Sequence, residues 1–262
     1  MSFRSYNRFT KQLITSQSFE STSAIQDKIS DLYKGHQRMM SSSLKDRKPL
    51  IEEIAVHLKE NKASLTELLA LEAGIPERMA KKEVQTVLDY SDYVLQKYAD
   101  HLASINVKTN ATKKSLITFN PFGMVYHICG NEAPLWQIFR FMLPNIAAGN
   151  SLLIRPPQEA LSISRGVEEM LHKAEIEHIK FAYSDPKHYE NTFKREEIRA
   201  IGYYGPIEEA RRVGSMAGKC IKPASIEITN RAVIAVFDDA DLNRVAEHWH
   251  KSKIKRQVRG FR

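Results

Sequence analysis

Two cysteines in 262 residues, Cys129 and Cys220, are too few and too far apart for a disulfide scaffold or a zinc site. Both read as small buried residues, and no metal site is expected. The longest apolar runs, Met124 to Cys129 and Ala232 to Phe237, fall well short of the roughly 20 residues that cross a bilayer. The N-terminus has no continuous apolar stretch of the kind a secretory signal carries. Acids are missing from residues 1–19, a basic and Ser/Thr-rich stretch, but the pattern stops at Glu20, and cytoplasmic residence is the expectation. Neither G-x-G-x-x-G nor G-x-x-x-x-G-K-[ST] occurs, so the two commonest phosphate-cradling signatures are absent.

What is present describes a soluble α/β protein. Hydrophobic residues make up 42% of the chain, enough for one large core or two smaller ones and unlike a disordered or fibrous sequence. The formal charge is +8, from 39 Lys and Arg against 31 Asp and Glu. Part of that excess lies in the terminal "KSKIKRQVRGFR". A basic tail can touch nucleic acid or an acidic membrane surface. A frayed, solvated end is the simpler reading, because no aromatic platform is interleaved with the cations, and neither a membrane nor nucleic acid is the expected partner.

The first hundred residues read as helices. Leu50, Ile51, Ile54, Ala55 and Leu58, then Leu65, Leu68, Leu69 and Leu71, recur at helical spacing before Gly74 supplies a stop. "PERMAKKEVQTVLDYSDYVLQKYADHL" carries Val84, Val87, Leu88, Val94, Leu95 and Tyr98 on one broad face. Between residues 103 and 120, alternation in "INVKTN" and "SLITF" predicts strands. From Met124 onward strands and single helices take turns: "MVYHIC", "SLLI", "HIKFAYS", "IRAIGYYG" and "PASIEI" are the strands. That alternation implies right-handed crossovers and a parallel sheet covered on both faces, a doubly wound, Rossmann-like layout. Ligands of such sheets sit beyond the carboxyl ends of the strands, beside helix N-termini. Arg155, at the end of "SLLIR", either reaches a nucleotide there or snorkels to solvent.

The stretch "NPFGMVYHICGNEAPLWQIFRFMLPNIAAGNSLLIRPP" resembles the signature of the NAD(P)-dependent aldehyde dehydrogenase superfamily, P-x-G-V-V-x-x-I-x-P-W-N-F-P-L followed by P-A-L-A-A-G-N, a strand and K-P. Pro121, Gly123, Pro134, Leu135, Pro144, Ala147, Ala148, Gly149, Asn150 and Pro156 fall in place. "LEAGIPERMAKKEV" resembles the family's E-x-G-K-P and A-x-x-E-V, "IGYYGPIEEARRVGSMAG" its F-T-G-S segment, and "SIEITNRAVIAVFDDADL" its L-E-L-G-G-K-S-P-x-I-V-F-D-D-A-D-L. "LWQIFRF" is most similar to bacterial succinate-semialdehyde dehydrogenase-like members. The resemblance implies a cofactor domain with N-terminal helices over residues 1–103, extended oligomerisation-type strands over 104–120, an NAD(P)-binding part over 121–231, and an incomplete start of the catalytic domain with a basic tail over 232–262.

It also implies roles. In the family a cysteine thiolate attacks the aldehyde, an asparagine amide steadies the oxyanion, hydride passes to NAD or NADP, and a glutamate activates the hydrolytic water. The glutamate corresponds to Glu227. The asparagine corresponds to Glu132, with Asn131 its neighbour; a carboxylate there repels an oxyanion unless protonated. Cofactor-contacting positions correspond to Ile128, Arg155, Pro156, Gln158 and Gly205. Gly205 is followed by Pro206 in place of serine, which removes two donors, and Ala210 stands at a later glycine. The nucleophile of G-Q-x-C has no counterpart: "RQVRGFR" stands there, with Arg259 or a neighbour at the cysteine. The resemblance therefore implies a truncated family member that is inactive by itself. The alternatives are an active aldehyde oxidoreductase, or half of a split enzyme whose partner is a homologous chain. Val233, Ile234, Val236 and Phe237, expected to form the first catalytic-domain strand, would be left without sheet neighbours and would invite association or poor solubility.

Overall fold

The computed structural model describes residues 2–109, 113–229 and 233–250. The basic tail, including Arg259, lies outside them. Contrary to the all-helical expectation for the first hundred residues, the chain begins with an antiparallel hairpin, β1 (Ser2–Tyr6) and β2 (Leu13–Ser18). The cause is a two-residue period: Phe3 and Ser5 are buried while Arg4 and Tyr6 face out. The Asn7 side chain closes the turn by accepting from the backbone of Phe9 and Thr10 at 2.9 and 3.1 Å.

Four helices follow, α1 (Thr22–Ser41), α2 (Leu44–Glu60), α3 (Lys62–Ala73) and α4 (Glu77–Leu102). Ser43 and Asp46 form a reciprocal capping box at the start of α2, and Gly74, at φ 62°, ends α3 in the left-handed conformation. The expected strands appear as an exposed hairpin of β3 (Ile105–Thr109) and β4 (Lys114–Ile117).

The remainder alternates: β5 (Met124–Ile128), α5 (Pro134–Ala148), β6 (Ser151–Arg155), α6 (Leu161–Lys173), β7 (Ile179–Phe181), α7 (Tyr189–Phe193), β8 (Ile198–Gly205), α8 (Ile207–Lys219), β9 (Ala224–Ile228) and α9 (Leu242–Trp249). The five strands β5 to β9 form one parallel sheet in the order β7-β6-β5-β8-β9. Helices α2 to α6 cover one face through a core that includes Val125, Leu152 and Ile154. Helices α1, α7 and α8 cover the other through Tyr126, Leu153, Ile201 and Tyr203. The doubly wound, Rossmann-like class read from the alternation is the observed one, and its strand order reverses between β5 and β8.

Residues 233–237 form no strand, contrary to expectation. Among the described residues nothing pairs with them, and a strand without a ladder leaves its backbone polar groups to water. Val233 and Phe237 are 89% and 76% exposed. Among the described residues no helix is long and apolar enough to cross a membrane.

Candidate functional site

The reversal between β5 and β8 places the ligand crevice of this class of sheet beyond Ile128 and Gly205. Residues of the signature motifs hold two helix starts beside it and two turns at the opposite end of the sheet. Glu83, from α4, accepts from the backbone N–H groups of Leu135 and Trp136 at 3.0 and 3.2 Å and so caps α5. Glu72, 1% exposed, accepts from Ser162 and Ile163 at 2.8 and 3.0 Å and caps α6, and it also accepts from the Ser5 hydroxyl. At the far end of α5, Gly149 turns left-handed at φ 86° beneath the Arg47 guanidinium, which donates to the carbonyls of Ala147 and Ser42. The Asn150 side chain accepts from Gly123 N–H at 3.1 Å and donates to Asn145 at 2.9 Å. These carboxylates and amides satisfy orphan donors at helix starts and turns. They build the scaffold.

The candidate catalytic residues meet through two side chains that sequence reasoning did not single out. Tyr204 donates from its hydroxyl to Glu132 Oε2 at 3.1 Å. Arg140, on α5, lies with its guanidinium carbon 5.8 Å from the Tyr204 ring centroid and pairs with Glu227 Oε2 at 2.8 Å. Glu132, Tyr204, Arg140 and Glu227 thus form one chain of contacts across the ends of β5, β8 and β9. Burial, and then the Glu132 carboxylate, push the Tyr204 hydroxyl up to about 12. Glu132 is here an acceptor, whereas an oxyanion needs a donor. Asn131 accepts from the backbone of Glu159 at 3.1 Å, so its amide oxygen is tied to the segment after β6. The tyrosine and arginine could have been found only from pairing register, because 87 residues separate Arg140 from Glu227.

Neither cysteine stands in this crevice. Cys129 is 2% exposed, and burial pushes its thiol up, which disfavours the nucleophilic thiolate. Cys220 lies at the other end of the sheet, in a surface cavity of 660 Å³ shared with Ile198 and Arg199 at the start of β8. An eight-residue strand separates it from the crevice by roughly 25 Å at about 3.3 Å per residue.

The candidate cofactor positions are engaged with the protein itself. Ile128 is buried in the core beneath the crevice. Arg155 does not snorkel: it is 5% exposed, and its guanidinium carbon sits 4.8 Å from the centroid of the Phe3 ring in the N-terminal hairpin. It donates to the Pro156 carbonyl and to Gln158 Oε1, each at 3.2 Å. The two residues that the resemblance assigned to cofactor contacts therefore bond each other. Arg8 of the same hairpin pairs with Glu159. A Cβ on Gly205 would lie 2.5 Å from the Tyr203 hydroxyl, and one on Gly130 would lie 2.7 Å from the Tyr204 carbonyl. The bare glycine faces that normally admit a ligand to the backbone are filled from within. As they stand, these residues do not fit a dinucleotide.

Comparison with known proteins places this scaffold. The model of the aldehyde dehydrogenase family matches residues 1–257. The chain belongs to the aldehyde dehydrogenase family. Curated relatives include the succinate semialdehyde dehydrogenase [NAD(P)+] Sad of Escherichia coli K12, 23% identical over 198 residues, which covers 73% of this chain and 42% of the relative. The NADP(+) succinate-semialdehyde dehydrogenase GabD of the same organism is 23% identical over 219 residues, covering 80% and 44%. Among solved structures, the succinic semialdehyde dehydrogenase of Streptococcus pyogenes in complex with NADP+ superposes with a TM-score of 0.87 at 17% identity, covering 97% of this chain and 56% of the other. The family resemblance implied NAD or NADP, and those aldehyde dehydrogenases carry the cofactor in their names. The chain spans about half the length of the curated relatives it matches.

Proposed function

We propose that these 262 residues form an aldehyde dehydrogenase-family scaffold that does not oxidise aldehydes by itself, and that it resides in the cytoplasm. The observation that carries this reading is the placement of the thiols. The family reaction begins with a thiolate attacking an aldehyde, and the two cysteines of the chain are respectively sealed in the core and at the opposite end of the sheet. The remaining candidates support it. Glu132 presents a carboxylate where a donor is needed. Glu227, which the resemblance makes the general base, is paired with Arg140 on an exposed edge strand. Within this reading residues 121–231 are the counterpart of the cofactor-binding part, with the hairpin of β1 and β2 serving as cover over Arg155 through Phe3.

The test is aldehyde-dependent reduction of NAD+ or NADP+ by the purified chain, with succinate semialdehyde as first substrate. No turnover above buffer is expected. Turnover that disappears in Glu227→Gln would refute the reading.

One observation favours a second reading, in which a homologous chain supplies the missing thiolate. Ile226 and Ile228 on the edge strand β9, with Val233, Val236, Phe237 and Leu242, form an exposed apolar series. Such a surface attracts a partner. Turnover that appears only on mixing with a cysteine-bearing family member would establish this reading in place of the first.

A further inference from the structure

We infer that the N-terminus of α8, which has no side-chain cap, carries its own anions and excludes phosphate groups. The helix begins after Pro206, which offers no N–H and makes no side-chain cap. Its first turn holds Glu208 and Glu209. Carboxylates in a first helical turn complement the positive end of the helix dipole, which is the attraction a bound phosphate would otherwise exploit. The starts of α5 and α6 are already closed by Glu83 and Glu72.

Tyr203 completes the substitution. Its hydroxyl lies against the bare face of Gly205, donates to the Pro206 carbonyl at 3.0 Å, and stands 3.3 Å from Glu209 Oε2. The position next to the helix start is therefore filled by a phenol held between a carbonyl and a carboxylate. A diphosphate brought here meets two like charges and must displace that phenol. Both are repulsive elements, and rejection of a ligand is built from such elements. On the neighbouring strand end, Arg155 is turned under the N-terminal hairpin against Phe3 and donates to Pro156 and Gln158.

The inference goes beyond the absence of aldehyde oxidation and is tested without it. The full chain is titrated with NAD+, with NADP+ and with inorganic pyrophosphate by calorimetry, beside Glu208→Gln/Glu209→Gln, whose fold is checked by circular dichroism. The substituted side chains keep their size, and Glu208 is exposed. The wild-type chain is expected to give no saturable heat with any of the three. The variant is expected to bind pyrophosphate at least about tenfold more tightly than wild type, a change of about 1.4 kcal/mol. Saturable wild-type binding of either dinucleotide below about 1 mM, the weak end of the affinity scale, would overturn the inference. So would equal affinity of variant and wild type for pyrophosphate. A dinucleotide bound without turnover would overturn this inference alone and leave the proposed function standing, whereas aldehyde turnover would overturn both.

Discussion

Replacing Glu72 by glutamine tests whether the signature glutamate of "LEAGIP" is a structural cap. The substitution keeps the shape of the side chain, so no cavity opens. It replaces one carboxylate oxygen by a donor, and both oxygens are in use, one toward Ser162 N–H at 2.8 Å and one toward Ile163 N–H at 3.0 Å. One charge-assisted bond is lost, worth about 1.5–3 kcal/mol. The charge at the start of α6 adds about 0.3–2 kcal/mol. The combined loss is about 3 kcal/mol, a large share of the roughly 5–15 kcal/mol that holds a domain folded. Urea unfolding followed by far-ultraviolet circular dichroism measures it, and the midpoint should fall with little change in slope. Glu83→Gln serves as the control, because Glu83 caps α5 through a single oxygen in a less buried position and should cost less. A loss below about 1 kcal/mol for Glu72→Gln, within the range of ordinary surface substitutions and neutral bonds, would refute the capping argument, as would a larger loss for Glu83→Gln.

Acidification should weaken the fold through its buried histidines. His127, stacked on Phe141 with ring centroids 3.7 Å apart, is pushed down to about 3 by burial and then by Arg140, and burial also lowers His36 and His178. The unfolded chain takes up these protons first, so stability is constant above about pH 6.5 and falls below it, by about 2 kcal/mol at pH 5 for His127 alone. Urea midpoints at the two pH values should differ less in His127→Leu than in wild type, and equal differences would count against the assignment. Gly149→Ala should lower the melting temperature, since φ is 86° there and the new Cβ would meet the Arg47 guanidinium carbon at 2.5 Å; a cost of about 2 kcal/mol follows from the backbone strain alone, and an unchanged melt would contradict it. Glu227→Gln breaks a pair whose carboxylate side chain is 51% exposed, so stability should change by under about 1 kcal/mol, measured by the same melts.

Much of the sheet was legible because its signals are local. Apolar runs such as "SLLI" and "IRAIGYYG" and the helices between them name parallel strands before any pairing is known, and β6 and β8 formed where those runs lie. The N-terminal hairpin was missed because its composition, rich in Ser, Thr and cations, hides a two-residue period in which only Phe3 and Ser5 are buried. Residues 233–237 failed as a strand for a non-local reason, since strand formation depends on a neighbour. At the crevice, the motif letters carried the ancestry but not the geometry. Glu132 and Glu227 could be picked from the chain, while Tyr204 and Arg140, which join them, depend on the register of β8 against β9 and on the face of α5. The burial of Arg155 under Phe3 joins positions 152 residues apart in sequence, and no local pattern reports it.

The placement of the thiols is tested most directly by intact-mass analysis of the purified chain after incubation with succinate semialdehyde and NADP+, with peptide mapping of Cys129 and Cys220. With one thiol sealed in the core and the other at the far end of the sheet, the mass is expected to remain that of the unmodified chain. An acyl adduct mapped to either cysteine, formed only when the nucleotide is present, would contradict the account.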